Sequence, residues 1–285
     1  MEEQKKIPQV IHYCWFGKGE MPETAVKCIE SWKKYCPNYK IIKWDETNFD
    51  INCCTYVRQA YECKKWAFVS DYARFYILYH FGGIYFDTDV ELIKPIDDII
   101  SRGPFMGTEN KLALHKIHVN DNISTLGINV ATGLGIAAYA GMSVYAEILQ
   151  QYQNAVFLNR DQTMNQKTVV ETVSQILAQY PIDEKRGYWI KIGSIFIYDK
   201  DFFCPLDYTT GLLEITANTR SIHHYDASWF TKEEKEWLVK KYKFIRLFGS
   251  QLGGKIWNVF AFARQMKLHG FREAINLTMK KLAGK

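Results

Sequence analysis

The sequence predicts an α/β protein that opens on a parallel sheet and closes in a basic helical tail. Three observations carry this. A strand–helix–strand unit begins the chain. A long helix is stopped by glycines and runs into an aromatic strand that ends in two aspartates. The positive charge is confined to the C-terminal end: from Lys240 onward there are 11 Lys/Arg and one acid, Glu273, whereas residues 1–239 carry 25 Lys/Arg and 30 Asp/Glu. With 285 residues the chain can bury a sizeable core. The expected division is one domain over 1–239 and a basic amphipathic tail over 240–285.

The elements follow in order. Residues 8–16 (PQVIHYCWF) are a buried first strand, closed by the turn Gly17-Lys18-Gly19. Pro22 suits the first turn of a helix, through which Ala25, Ile29 and Trp32 recur at helical spacing. Cys36-Pro37-Asn38 breaks that helix ahead of a second strand over 39–44, which makes a crossover unit and hence a parallel pair. Residues 55–80 read as one long helix with an apolar stripe through Trp66, Val69, Tyr72, Ala73, Tyr76 and Ile77. Phe81-Gly82-Gly83 ends it, glycine being suited to a helix terminus. Beyond Pro95 the sequence predicts strands over 105–108, 127–131, 188–198 and 220–225, and helices over 136–152 and 168–180. Residues 231–247 are helical and lysine-rich, and 255–282 hold one or two amphipathic helices.

Composition narrows the function classes. Aromatic residues make up 15% of the chain, an excess that favours a ligand with planar or sugar groups on which rings can stack. Seven cysteines without a C-x-x-C pair, after an N-terminus (MEEQKKIPQ) without signal-peptide character, predict reduced thiols in a cytosolic protein and no structural zinc. No run of 18 apolar residues is present, so no spanning helix is expected. The absence of G-x-x-x-x-G-K-[ST] leaves ATP-driven chemistry unsupported.

The chemistry centres on Asp87 and Asp89, which follow the run Gly83-Ile84-Tyr85-Phe86. Side chains at i and i+2 of an extended strand point to one side, so Asp87 and Asp89 are expected to present two carboxylates together at the exit of a buried strand. Such a pair favours a cation between them, and hard divalent ions take oxygen ligands. Asp71 and Arg74, at i and i+3, share a face of a helix that is apolar over most of its circumference. Trp15 ends the first strand, at the sheet edge where open α/β folds bind ligands. In the segment 218–230 (NTRSIHHYDASWF), His223 and His224 point to opposite sides of a strand, so at most one faces the carboxylates. Ser228 and Trp229 follow and could close over a phosphate.

Taken as an ordered series, these motifs resemble the family 32 glycosyltransferases of capsular-polysaccharide type and, more distantly, the glucosylating domains of clostridial toxins. The likeness runs from IPQVIHYCWFG (7–17) through SDYAR (70–74) and GGIYFDTD (82–89) to FCP (203–205), NTRSIHH (218–224) and Ser228-Trp229. It implies a GT-A fold: a Rossmann-like mixed sheet flanked by helices that binds a nucleotide sugar, with Mn2+ or Mg2+ held on the diphosphate. Carried over, Trp15, Phe16, Gly17 and Tyr85 would hold the nucleotide, with Asp87 nearer the ribose side, and Asp71 and Arg74 would contact the donor sugar and phosphate. Asp87, Asp89 and His224 would ligate the metal, Ser228 and Trp229 would close on the diphosphate, and Asn129 would lie near the donor sugar. The implied activity is retaining transfer of a hexose or N-acetylhexosamine, from a UDP-sugar rather than a GDP-sugar, to a glycan or lipid-linked acceptor in surface polysaccharide synthesis.

The basic tail is expected to dock on an anionic membrane surface, at the cytoplasmic face. No nucleic-acid partner is expected. Two other readings stay open. A haloacid-dehalogenase-like phosphohydrolase also ends a strand in two aspartates, but it wants Thr or Val where this chain has Glu91, and no Gly-Asp dipeptide occurs here. The other is a non-catalytic, membrane-docked carbohydrate-binding protein whose carboxylates hold calcium.

Overall fold

The opening crossover forms as expected in the computed structural model, which describes residues 6–165, 167–226, 232–271, 273 and 275. Strand β1 (Val10–Cys14) pairs in parallel with β2 (Lys40–Trp44), and α1 (Glu23–Tyr35) connects them. The α1 face that carries Ala25, Cys28, Ile29 and Trp32 is buried, and the Trp32 ring N–H donates to the Val90 carbonyl at 2.7 Å.

The single helix expected over 55–80 is two: α2 (Thr55–Glu62) and α3 (Trp66–Phe81). Lys64, between them, adopts a left-handed φ of 57°, which ends the first helix. The apolar stripe continues across the break, so spacing alone does not reveal it. Gly82, with φ 63°, closes α3, and its N–H caps Leu78.

Strand β3 (Gly83–Tyr85) follows, then β4 (Val90–Leu92), α4 (Asp97–Ile100), β5 (Phe105–Thr108) and β6 (Val130–Ala138). The short strand expected over 127–131 is thus nine residues long, and 136–138 are strand rather than helix. All but one of these nine residues are buried, and a continuous apolar run has no period to separate strand from helix. The rest of this part comprises α5 (Ser143–Gln153), α6 (Val169–Leu177), β7 (Glu184–Arg186), β8 (Trp189–Ile192), β9 (Ile195–Tyr198), α7 (Lys200–Phe203) and β10 (Ser221–His223).

Eight strands form one sheet in the order β2-β1-β3-β6-β5-β9-β8-β7. Pairs β2/β1, β1/β3 and β5/β9 are parallel and the others antiparallel. This is the mixed α/β sheet that the sequence predicts. The last strand lies outside it, since β10 pairs antiparallel with β4 as a separate ribbon. Alternation divides β3 between two cores: Tyr85 faces the core shared with α3 and α5, whereas Ile84 and Phe86 face the core around Trp32.

By its contacts the chain divides into Met1–Pro205 with Glu214–Asp226, and Leu206–Leu213 with Ala227–Lys285. The second unit holds α8 (Lys232–Phe248) and α9 (Ser250–His269), with Trp237 and Trp257 in ring contact at 4.5 Å and the Tyr242 hydroxyl on the Tyr208 carbonyl. Residue 239, where the charge changes, falls inside α8. Among the described residues no helix is long and apolar enough to cross a membrane.

Candidate functional site

The site grows from the end of β3. Because β1 and β3 are parallel, with His12 opposite Tyr85, Trp15 and the Asp87–Asp89 segment leave the sheet at one edge. The strand stops at Tyr85, and Thr88 and Asp89 form a turn, so strand alternation is not what brings the two carboxylates together. The turn sends Asp87 toward α3 and Asp89 toward β10.

Asp87 continues the parity of Tyr85 and meets α3. The Tyr85 hydroxyl donates to Asp87 Oδ1 at 3.0 Å, and one Arg74 nitrogen reaches the same oxygen at 3.2 Å. That nitrogen also pairs with Asp71 Oδ1 at 2.9 Å, while another donates to Thr132 Oγ1 of β6 at 3.0 Å. Arg74 is only 3% exposed, and burial of a cation is tolerable here because two carboxylates and a hydroxyl compensate it. Burial pushes the Asp71 carboxyl up to about 6, with Arg74 pulling the other way. Burial likewise raises Asp87. Both acids therefore depend on the guanidinium for their charge.

Asp89 is held by different partners. Its Oδ1 is 3.1 Å from His223 Nε2, and its Oδ2 accepts the Asp226 N–H at 3.0 Å. Burial works against its charge, but His223 and these hydrogen bonds hold it down at about 2. Burial disfavours protonated His223, yet Asp89 opposite raises its pKa. Trp32 fixes this arrangement from beneath, by tying α1 to β4, the partner strand of β10.

One ligand atom from each of Asp87, Asp89 and His223 lies within 4.8 Å of the others. Ligands on opposite sides of one hard cation stand about 4.4 Å apart, so this spacing fits a shared divalent ion. Two carboxylates and an imidazole form a donor set suited to Mn2+, and a set with more oxygen suits Mg2+. His223 Nδ1 is buried with no partner among the described residues.

His224, expected as the third ligand, instead pairs with Glu91 at 2.8 Å. The neighbour, His223, is the histidine that reaches the carboxylates. Asn129 is exposed and engaged through its main chain: its N–H donates to Asn110 and its carbonyl accepts from Thr108. Trp15 is half-buried, with its ring N–H on the Gly19 carbonyl at 2.7 Å. Phe16 is buried against Phe49. Gly17 has φ 91° and donates to Glu46; a Cβ there would stand 2.5 Å from the Trp66 ring. Ser228 and Trp229 lie outside the described residues.

Four participants were not anticipated from sequence: Thr132, Gly133, Asp226 and Tyr225. A Cβ on Gly133 would collide with the Asp87 carboxylate. Glycine inside a strand marks a close approach, which is the signal the segment GINVATGLG offered. Tyr225 lies against the His223 ring at 4.2 Å and donates to Glu109 at 3.0 Å.

Residues 22–106 match the family described as "Glycosyltransferase sugar-binding region containing DXD motif". Two curated relatives come from Schizosaccharomyces pombe. Inositol phosphoceramide mannosyltransferase 1 is 30% identical over 115 residues, which cover 36% of this chain and 34% of that protein. Inositol phosphoceramide mannosyltransferase 3 is 28% identical over 102 residues, covering 33% and 27%. The chain thus spans about a third of the length of these relatives. The solved structure titled "PaToxG Glycosyltransferase" aligns with a TM-score of 0.41 and 19% identity, over 61% of this chain and 70% of that one. The matched segment contains Asp71, Arg74, Asp87 and Asp89, so the acidic pair and its arginine fall within the part of the chain that is similar to that sugar-binding region.

Proposed function

We propose that the chain is a metal-dependent, retaining glycosyltransferase that moves a hexose or N-acetylhexosamine from a nucleotide diphosphate sugar, UDP-linked in preference to GDP-linked. The observation that carries this reading is the pairing of two differently held acids. Asp87 is bound to a buried arginine, and Asp89 is bound to a histidine, within 4.8 Å of one another. Asp87, Asp89 and His223 would hold the divalent ion, which when bound neutralises charge on the leaving diphosphate.

The remaining work falls to the chain's own groups. Arg74 is a fixed cation beside that position, held in orientation by Asp71 and Thr132, and a preorganised charge of this kind stabilises a developing phosphate anion. Trp15, Phe16 and Gly17 lie at the same sheet edge, on the nucleotide side, and Asn129 begins the approach to β6 on the sugar side. Ser228 and Trp229 would close over the diphosphate.

The acceptor in this reading is a glycan or lipid-linked sugar in surface polysaccharide synthesis. The curated relatives are named for a phosphoceramide, which supports a lipid-borne acceptor. The α8–α9 unit would bring the enzyme to it, at the cytoplasmic face of an anionic membrane. Leu247, Leu252, Val259 and Leu268 are more than half exposed among lysines and arginines, a combination suited to such a surface.

The test is release of nucleotide from UDP- and GDP-sugars with and without Mn2+ or Mg2+. Metal-dependent release that disappears in Asp89→Asn supports the reading. Release indifferent to metal, or unchanged in that variant, defeats it.

A further inference from the structure

A second recess lies away from the acidic cluster. It has a volume of about 390 Å³ and sits between the turn joining β7 to β8, the end of α4, and α7. Small-molecule sites fall in the range of roughly 300–1,000 Å³, so it can hold a ligand of one or two sugar rings. None of its lining residues belongs to the Asp87–Asp89–His223 cluster or to the Arg74 network.

Its charge is one-sided. Arg102, Arg186 and Arg220 line it against one carboxylate, Asp98. Arg220 is engaged, with Asp98 at 2.8 Å and the Asn218 carbonyl at 2.8 Å. Arg102 donates to the Tyr198 hydroxyl at 3.2 Å and lies 5.8 Å from the Trp189 ring. Among the described residues, neither Arg102 nor Arg186 has a carboxylate partner. Tyr188, at the hairpin tip, is 53% exposed, and its ring stands 6.1 Å from that of Phe202. The recess therefore offers two guanidinium groups with unused donors beside aromatic faces. Guanidinium binds carboxylate and phosphate through paired hydrogen bonds, while aromatic faces take up the apolar C–H face of a sugar.

We propose that this recess binds an anionic sugar, one bearing a carboxylate or a phosphate, with Arg102 and Arg186 on the anion and Tyr188 against the ring. Binding there requires neither the metal cluster nor transferase activity, so it stands or falls apart from the reading above.

Titrations by ligand-observed NMR with glucuronate, glucose 6-phosphate and glucose test it on the full chain. Saturable binding of at least one anionic sugar is expected, with glucose binding at least about ten-fold more weakly. Comparison of the two anionic ligands distinguishes a carboxylate from a phosphate source. Arg186→Ala, at an exposed position, should weaken binding about ten-fold or more without altering the melting temperature. Arg102→Ala should weaken it as much, with a lower melting temperature because its hydrogen bond to the buried Tyr198 hydroxyl is lost, and Asp89→Asn should leave binding unchanged. Three results would overturn the proposal: no saturable binding of either anionic sugar, equal binding of glucose, or loss in Asp89→Asn with retention in the arginine variants.

Discussion

His223 Nε2 stands 3.1 Å from Asp89 Oδ1, while the adjacent His224 turns away to Glu91. Neighbours in a strand point to opposite faces, so the register of β10 on β4 decides which histidine joins the acidic cluster. His223→Ala is therefore expected to abolish thermal stabilisation by Mn2+ and to lower metal-dependent nucleotide release about 100-fold or more. His224→Ala should change both by less than about three-fold, because it removes one partly exposed ion pair. Equal effects of the two substitutions would contradict the assignment.

Arg74 is the common partner of Asp71 and Asp87. Arg74→Met leaves two partly buried carboxylates without their cation, and should cost about 2–4 kcal/mol in urea unfolding. Arg74→Lys retains the charge but cannot reach Asp71, Asp87 and Thr132 with one planar fork. It should recover part of the stability and little of the turnover.

Gly133 makes room for the Asp87 carboxylate. Gly133→Ala should displace that side chain at a cost of about 1–3 kcal/mol and reduce turnover far more than stability. A variant with wild-type turnover would mean that Asp87 has freedom to move.

His12 is buried with both ring nitrogens engaged, one on the Gly82 carbonyl at 3.0 Å and the other accepting the Trp44 ring N–H at 3.1 Å. Protonation would break the Trp44 bond, and burial lowers the pKa from 6.5 to about 4. Above pH 6.5 the ring is neutral in both folded and unfolded chains, and its contribution is fully present. As pH falls from 6.5 toward 4 the unfolded chain takes up a proton that the fold resists, so stability falls by about 3 kcal/mol. His12→Gln should flatten this part of the pH profile in denaturant titrations.

The tail makes a separate prediction. Replacing Lys240, Lys241 and Lys243 with glutamate should abolish flotation with vesicles rich in anionic lipid, since each basic residue near such a surface contributes about 1 kcal/mol. Flotation that persists would remove the membrane-docking proposal while leaving the catalytic one intact.

Much of this protein was legible in its residues. The parallel crossover, the helix stop at Gly82-Gly83 and the basic tail are consequences of local periodicity and turn chemistry, which act over a few residues. Asp71, Arg74, Asp87 and Asp89 stood out because charged groups interrupt apolar segments. The break at Lys64 and the full length of β6 were not legible, because an apolar stripe or run continues through each and carries no boundary. The partners of the acids were decided only by the tertiary structure. Thr132 meets Arg74 from 58 residues away because β6 lies beside β3, and His223 rather than His224 faces Asp89 because β10 pairs with β4 in one register. Sequence spacing specifies which side chains share a face, but strand pairing across long separations determines what that face meets.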